Sequence, residues 1–252
     1  MDKKYWVPAL EKADVILQAI SGQPSKLKLM DLSKLSGINK SSMFSLLNTL
    51  EALEWVVREA EGTYSLGSKL GFLGNVYFKQ FSLIDRFRKE ASITKHTIQE
   101  TIQLARLEQS DVLYLAKEEM PSPVRLASEP GMKLPAHATA LGKVMLAALD
   151  SDKVKAMYPD EQLHNGLTQH TIKSRDELLG QLTQIRAEGF ACDLQEAVMG
   201  FCCVAAPVLD AQGNTVAAIS CSMFQHEWEQ KRSQAQKEIC ALAARLSQGT
   251  CN

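Results

Sequence analysis

Residues 29–52, LMDLSKLSGINKSSMFSLLNTLEA, decide the fold at the start of this 252-residue chain. Two apolar patterns of helical spacing are separated by Ser36 and Gly37, and a glycine after a helix often supplies the positive φ with which the chain leaves it. The positions predicted to share one small core are Leu32, Leu35, Ile38, Met43, Leu46, Leu47 and Leu50. Two helices joined by such a tight turn predict a helix-turn-helix, although a helical hairpin that only packs has the same pattern.

The flanking residues favour a DNA-binding helix-turn-helix over a packing hairpin. Residues 55–58 and 63–66 predict two strands around a turn that contains Gly62, and a β-hairpin after the second helix is the wing of a winged helix. Residues 8–20 predict a further helix. Its predicted apolar face consists of Leu10, Ala13, Ile16, Leu17 and Ile20. Three helices and a hairpin therefore predict a winged-helix domain whose second helix of the motif enters the major groove.

The composition excludes few classes of function. The net charge is −1 at pH 7, so the chain as a whole is not a basic nucleic-acid coat, and the apolar content of 45% suffices for packed cores. Residues 1–80 have a small excess of Lys and Arg over Asp and Glu. No run of residues is apolar enough to span a membrane and the N-terminus has no apolar signal region, so we expect a cytoplasmic protein without a membrane partner.

The six cysteines indicate reduced thiols rather than a metal site. They form no CxxC pair and have no spacing with histidine that is typical of zinc, so we expect neither a metal nor another cofactor. A catalytic cysteine–histidine pair stays open, and it would need an activated thiolate with a resolving thiol in reach. Cys202 and Cys203 are a poor resolving pair, because adjacent residues of a strand point to opposite faces.

Beyond the wing, the pattern predicts a connecting helix and a second domain. The connecting helix covers residues 68–81, and its predicted apolar face consists of Leu70, Leu73, Tyr77 and Phe81. Further helices are predicted at 83–102, 135–149, 153–158, 175–188 and 227–246, and strands at 104–107, 112–116, 124–126, 203–209 and 216–222. Strands first and last with helices between predict an α+β domain on an antiparallel sheet. The predicted divisions are 1–67 for the winged helix-turn-helix domain, 68–82 for the linker helix and 83–252 for the second domain.

Several motifs, in order, resemble the IclR-type transcriptional regulators over nearly the whole chain. Residues 37–42 (GINKSS) resemble the start of that family's recognition helix, and residues 64–67 (YSLG) resemble its wing exit. Residues 135–143 (PAHATALGK), 189–193 (GFACD), Glu196, Gly200 and 203–208 (CVAAPV) resemble its C-terminal motifs. The resemblance implies a GAF-like effector-binding domain that holds a small organic acid, and a dimer or tetramer that binds a palindromic DNA operator.

The candidate DNA-binding residues lie mainly on the second helix of the motif and near the wing. They are Lys28, Asn39, Lys40, Ser41, Ser42, Ser45, Asn48, Arg58 and Lys69. We expect Asn48 to pair with adenine, and Arg58 and Lys69 to contact phosphates. Asn39 and Ser45 stand where the family usually has Pro and Arg, so the operator is not expected to follow the usual family sequence.

The candidate effector-binding residues follow from the resemblance and lie in the second domain. They are Leu126, Ala140, Leu141, Asp193, Cys203, Ser220 and Ser222. Ser220 and Ser222 are two residues apart on one predicted strand, so both hydroxyls point to the same side. The start of the helix from Pro135 is expected to receive a carboxylate. Asp193 would repel a dianion unless it is protonated or bridged, which favours hydroxy or keto acids of one charge.

Two classes of function stay open. The first is a transcriptional regulator of catabolic genes, controlled by a small carboxylate. The alternative is a cysteine-dependent enzyme on a GAF-like domain fused to a winged helix, and since both would share the fold, the chemistry of the site must decide. The poor thiol pair favours a regulator without catalytic residues. One winged helix reads only a short half-site, so we expect a homodimer or homotetramer joined through the apolar face of the connecting helix.

Overall fold

The computed structural model describes residues 6–79, 82–121 and 128–247. By its contacts the chain divides into two compact units, Met1–Gln80 and Phe81–Asn252. Within the described ranges, no helix combines the length and the apolar character that crossing a membrane requires.

The first unit is a winged helix, as predicted. Its elements are α1 (Pro8–Gly22), α2 (Leu29–Ser36), α3 (Lys40–Ala52), β1 (Val56–Arg58), β2 (Tyr64–Leu66) and α4 (Ser68–Lys79), with β1 and β2 antiparallel. Gly37 ends α2 with a φ of +70°, a conformation that favours glycine. Asn39 begins α3, because its Oδ1 accepts a hydrogen bond of 2.9 Å from the Ser42 N–H.

The core of the first unit differs from its prediction at two leucines. Ile16, Ile20, Leu32, Met43 and Leu47 are at most 1% exposed, whereas Leu10 is 64% and Leu35 is 63% exposed. Leu10 lies in the first turn of α1, before the buried stripe begins at Ala13. Leu35 lies in the last turn of α2, where the chain reverses at Gly37 and Ile38 takes the core position instead.

The second unit is an α+β domain on one antiparallel sheet. Its elements are α5 (Ser82–Ile98), β3 (Thr101–Glu108), β4 (Asp111–Glu118), β5 (Lys133–Pro135), α6 (Ala140–Leu146), α7 (Ser151–Met157), α8 (Arg175–Glu188), β6 (Ala191–Leu194), β7 (Phe201–Leu209), β8 (Thr215–Phe224) and α9 (Trp228–Ser247). The strand order is β5-β4-β3-β8-β7-β6. Helix α6 packs on the sheet beside α8, while α5 and α9 pack on each other and on the sheet.

The second unit differs from its prediction at the end of one helix and at a strand that was not predicted. Helix α5 ends at Ile98 rather than at residue 102, because Gln99 has a φ of +62° and β3 then begins at Thr101. The predicted strand at 124–126 lies outside the described residues. Strand β6 was not predicted at all.

The helix expected from Pro135 begins five residues later. Pro135 ends β5, a single 3₁₀ turn (Ala136–Ala138) follows, and Thr139 caps α6 by accepting a hydrogen bond from the Gly142 N–H at 2.9 Å. A side chain at residue 142 would lie 2.1 Å from the Ala136 carbonyl oxygen, so only glycine lets the turn pack on the helix start. Helix α6 has seven residues, and its N-terminus lies at Ala140 rather than at Pro135.

Candidate functional sites

The outer face of α3 carries most of the predicted DNA-binding residues. Lys40, Ser41, Ser45 and Asn48 are exposed and Ser42 is half-buried. Met43, Leu47 and Leu50 are buried on the opposite side, because the helical period separates the two faces. The structure therefore presents a mainly polar helix surface to the outside.

Three of the predicted residues, Asn39, Ser41 and Ser45, also make local side-chain hydrogen bonds. Asn39 Oδ1 accepts from the Ser42 N–H and from the Ser41 hydroxyl, both at 2.9 Å, so this oxygen holds the helix start. The Ser45 hydroxyl donates to the Ser41 carbonyl at 3.1 Å. The amide protons of Asn39 and the lone pairs of the Ser45 hydroxyl remain for a second partner.

The predicted cations outside α3 are all exposed. Lys28 precedes α2, Arg58 ends β1, and Lys69 lies in α4 with its ammonium 5.8 Å from the Phe72 ring centroid. Sequence reasoning missed Lys12 of α1, which lines a shallow groove together with Ser41 and Ser45. Only the packing of α1 beside α3 brings that lysine to the polar face.

A pocket lies between α6 and the sheet in the second unit, and it contains six of the seven predicted effector-binding residues. Ala140, Leu141, Asp193, Cys203, Ser220 and Ser222 all line it. The seventh, Leu126, lies outside the described residues. Sequence reasoning missed Gln103, Tyr114, Ser128, Leu134, Thr139, Ala197, Val198 and Phe201. The space between these residues is about 450 Å³ when the open mouth of the pocket is counted with it.

Gln103 organises the polar side of this pocket. Its Oε1 accepts hydrogen bonds from the Ser220 hydroxyl at 3.1 Å and the Ser222 hydroxyl at 3.3 Å, and its Nε2 lies 3.2 Å from Ser222 Oγ. The Cys203 sulfur is 3.1 Å from the same Ser222 oxygen. All four side chains come from neighbouring strands, β3, β8 and β7, whose register places them together.

Asp193 is a buried carboxyl group on the same pocket, 1% exposed. Its Oδ1 accepts hydrogen bonds from the Glu196 N–H at 2.6 Å and the Ala197 N–H at 3.4 Å. Burial, helped by the nearby Glu196 carboxylate, raises the pKa of Asp193 to about 7 against the lowering effect of the N–H donors. A large fraction of the molecules therefore hold a proton on Asp193 near neutral pH.

The hydroxyl group of Ser128 is another buried polar group that lines the pocket. Ser128 is 4% exposed, and its hydroxyl oxygen makes no hydrogen bond among the described residues. An unpaired buried hydroxyl is costly, so a bound molecule that pairs with it gains free energy.

The thiols that line or adjoin the pocket are poor nucleophiles. Burial raises the pKa of the Cys203 thiol well above its usual range, and burial likewise raises the pKa of Cys202 to about 11. A protonated thiol does not attack an electrophile. Among the described residues, no group of three or more His, Cys, Asp or Glu side chains is placed to hold a metal ion.

One wall of the pocket is held by a buried ion pair. Ala197 and Val198 line the pocket from the loop between β6 and β7. In the same loop, Glu196 accepts from the Lys143 ammonium of α6 at 2.6 Å. The Lys143 ammonium also donates to Gln181 of α8 at 3.1 Å, so three elements meet behind the pocket wall.

The whole chain is similar to known bacterial regulators. Residues 9–60 match the family model described as the IclR helix-turn-helix domain, and residues 77–248 match the one described as the bacterial transcriptional regulator IclR C-terminal. The HTH-type transcriptional regulator XynR of Escherichia coli K12 is 32% identical over 217 residues, which are 86% of this chain and 86% of XynR. The regulator KdgR of the same organism is 32% identical over 244 residues, which are 95% of this chain and 90% of KdgR.

Solved structures share the fold over the same extent. The Thermotoga maritima IclR crystal structure has a TM-score of 0.82 and 25% identity, covering 97% of this chain and 99% of that one. An IclR homolog from Microbacterium hydrocarbonoxydans, complexed with 4-hydroxybenzoate, has a TM-score of 0.80 and 16% identity, covering 96% and 98%.

Proposed function

The chain belongs to the IclR family of bacterial transcriptional regulators, and we propose that it binds a palindromic operator of catabolic genes under the control of a small organic acid. Its relatives are DNA-binding regulators and not enzymes, so the cysteine-dependent alternative is not supported. A protein that acts on bacterial operators works in the cytoplasm, where the DNA is.

The effector proposal depends on one observation, a buried polar cluster that faces a cavity. Gln103, Ser220 and Ser222 form hydrogen bonds with one another in a sheet whose other buried positions are mainly apolar. Such a cluster is costly to maintain for packing alone, since apolar residues of the same shape would serve. A few convergent polar groups in an otherwise apolar pocket are typical of a small-molecule site.

The same groups suggest the chemical class of the effector. One Gln103 amide proton is left over from the cluster for a carboxylate, and the serine hydroxyls donate to it when they turn away from Gln103 Oε1. A protonated Asp193 adds a donor near neutral pH. A second negative charge would meet the ionised fraction of Asp193, so the proposed effector is a hydroxy or keto acid with one charge. A family member of the same fold in complex with 4-hydroxybenzoate, a small acid with one carboxylate, is consistent with this class.

DNA binding is proposed to use the outer face of α3. Lys40 and the three serines are expected to position the helix on the backbone, and Asn48 is expected to reach an adenine. Arg58 and Lys69 remain the proposed phosphate contacts near the wing, and Lys28 and Asn39 the proposed contacts at the starts of α2 and α3. Helix α4 is proposed to link the DNA-binding domain, 1–67, to the effector domain, 83–252.

A homodimer or homotetramer is proposed through α4, on a face that differs from the predicted one. Of the predicted residues, Leu73 is 45% exposed, Leu70 and Tyr77 are half-buried, and Phe81 lies outside the described residues. Phe72 at 60% and Val76 at 42% extend the exposed apolar surface instead. A second copy of this chain is the proposed partner, because a palindromic operator needs two winged helices related by twofold symmetry.

The DNA-binding proposal is tested on the duplex that the protein itself selects from a random-sequence pool. The variant Lys40→Ala/Ser41→Ala/Ser42→Ala is expected to weaken binding, and to lower the slope of log affinity against log salt by about 0.9 for each phosphate that the helix no longer neutralises. Lys155→Ala is the matched control, since this lysine is exposed in the second unit. Unchanged affinity and slope in the triple variant would contradict the assignment of α3.

A further inference from the structure

Phe44 interrupts the polar outer face of α3. Its side chain is 55% exposed, whereas the preceding Met43 is fully buried. Lys40 and Asn48 lie one turn before and one turn after it, and both are exposed. Residues four apart share a helix face, so the aromatic ring lies between an ammonium and a carboxamide on the surface that the helix presents outward.

The first unit does not need Phe44 for its own core. Met43, Leu47 and Leu50 form the buried stripe of α3, and they pack with Ile16 and Ile20 of α1 without it. An aromatic ring in water gains free energy when a partner covers its apolar surface. The ring is therefore open to a partner that also suits the polar groups on either side.

Those flanking groups identify the partner as DNA rather than a protein surface. Lysine is depleted in the cores of protein interfaces, while lysine and asparagine are common where a helix meets phosphates and adenine. In the major groove, the thymine C5-methyl group is the apolar feature of the natural bases. We propose that Phe44 reads a thymine in each half-site by packing on this methyl group, which rests on the proposed entry of α3 into the groove.

The helix geometry also limits where that thymine lies. Phe44 and Asn48 are separated by about 6 Å along the helix axis, which is about two base steps of B-DNA. With Asn48 on an adenine, each half-site therefore contains the thymine within about two base pairs of that adenine.

The test replaces thymines of the selected duplex one at a time with deoxyuridine, which lacks only the methyl group. At one position per half-site, the unmodified protein is expected to lose about fourfold in affinity, the value of one buried methyl group. Phe44→Ser is expected to bind the normal duplex more weakly and to be insensitive to deoxyuridine at that position. Leu53→Ser, at a residue that is 50% exposed and directly follows the end of the same helix, is expected to keep the full sensitivity.

The outcomes separate this inference from the DNA-binding proposal. Tolerance of deoxyuridine at every position by the unmodified protein would overturn the role of Phe44, and so would an undiminished deoxyuridine effect in Phe44→Ser. If the Lys40/Ser41/Ser42 variant still weakens binding in that case, the assignment of α3 stands and only the thymine contact fails. If that variant also binds normally, α3 is not the reading helix.

Discussion

The Lys143 ammonium lies 2.6 Å from Glu196 Oε1, with the two side chains only 2% and 9% exposed. This buried pair joins α6 to the loop that follows β6, and the backbone N–H of the same Glu196 donates to Asp193. The pair therefore fixes the loop whose residues Ala197 and Val198 form one wall of the pocket between α6 and the sheet.

We expect Lys143→Met to lower the free energy of unfolding by about 3–5 kcal/mol, because it leaves the Glu196 carboxylate buried without a countercharge. Adding Glu196→Leu should recover most of that loss, since an apolar pair replaces the ionic one. Urea denaturation followed by circular dichroism measures both. Lys153→Met, whose exposed ammonium is 3.9 Å from Asp150, should change stability by less than about 0.5 kcal/mol. Equal effects of the Lys143 and Lys153 variants would contradict the structural role of the pair.

Asp193 should make the protein less stable as the pH rises. Its pKa is about 7 in the folded protein against an ordinary value of 3.8, so between about pH 4 and pH 7 the folded state binds more protons than the unfolded state. The associated stability is complete below this interval and lost as the pH rises through it. Asp193→Asn should remove this slope and stabilise the protein by about 1–4 kcal/mol at pH 8.

The measurement is the urea midpoint of the Asp193→Asn variant and the unmodified protein at pH 5 and pH 8. Asp152→Asn serves as the control, because that carboxylate is 97% exposed. If the urea midpoints of the Asp193 variant and the unmodified protein change by the same amount between pH 5 and pH 8, the Asp193 carboxyl is already ionised in the folded protein at both pH values.

His137 should have the opposite effect on acid stability. The ring is 3% exposed, neither nitrogen has a hydrogen-bond partner among the described residues, and burial lowers the pKa of His137 against the opposing charge of Asp111. Its neutral form is favoured in the fold, so stability is present above pH 6.5 and lost as the pH falls below that value.

We therefore expect His137→Phe, which keeps a ring edge-on to Tyr158, to lose less thermal stability than the unmodified protein between pH 7.5 and pH 5. Scanning calorimetry at the two pH values measures the difference. His164→Phe, whose side chain is 73% exposed, is the control. The same decrease in melting temperature for both variants would contradict this account.

The helix-turn-helix could be predicted because its signals are local. The left-handed Gly37, the capping Asn39 and the apolar period of α3 all lie within a few residues of one another. The length of α5 and the start of α6 were wrong because other contacts decide them. Helix α6 begins later in the chain than predicted because Ala136 packs closely on Gly142, although the apolar spacing of the same residues also fits one continuous helix.

The polar side of the pocket could be predicted only in part. Ser220 and Ser222 share a strand, so their common face followed from the period of two. Gln103 was missed because its partners lie 117 and 119 residues away in the sequence, and only the pairing of β3 with β8 brings them together.

Exposed rings such as Phe44 and Phe72 were missed for another reason. An apolar pattern selects residues that suit a core and does not reveal which of them remain outside.

Ser220→Ala/Ser222→Ala should reduce the response of DNA binding to a one-charge hydroxy or keto acid, because the pocket loses two hydroxyl groups that can turn from Gln103 to a bound carboxylate. Binding of the selected operator without effector should stay normal. Cys221→Ala is the matched control, since this buried residue lies between the two serines and points to the other face of the sheet. The measurement is operator affinity with and without a panel of such acids. A loss of effector-free DNA binding in the serine variant alone would make the two serines structural.

The exposed apolar face of α4 should control assembly. Phe72→Ser/Val76→Ser removes two apolar side chains that are 60% and 42% exposed, so the isolated unit loses little packing. If a second copy covers this face, the variant should dissociate at micromolar concentration. Each winged helix would then bind its half-site without the help of the other, so operator affinity should fall by about 100-fold or more. Sedimentation velocity measures the assembly and operator titration the affinity, with Leu10→Ser, 64% exposed on α1, as the control. If the variant assembles like the unmodified protein, the interface between copies lies on another surface, and the exposed apolar face of α4 does not hold the assembly together.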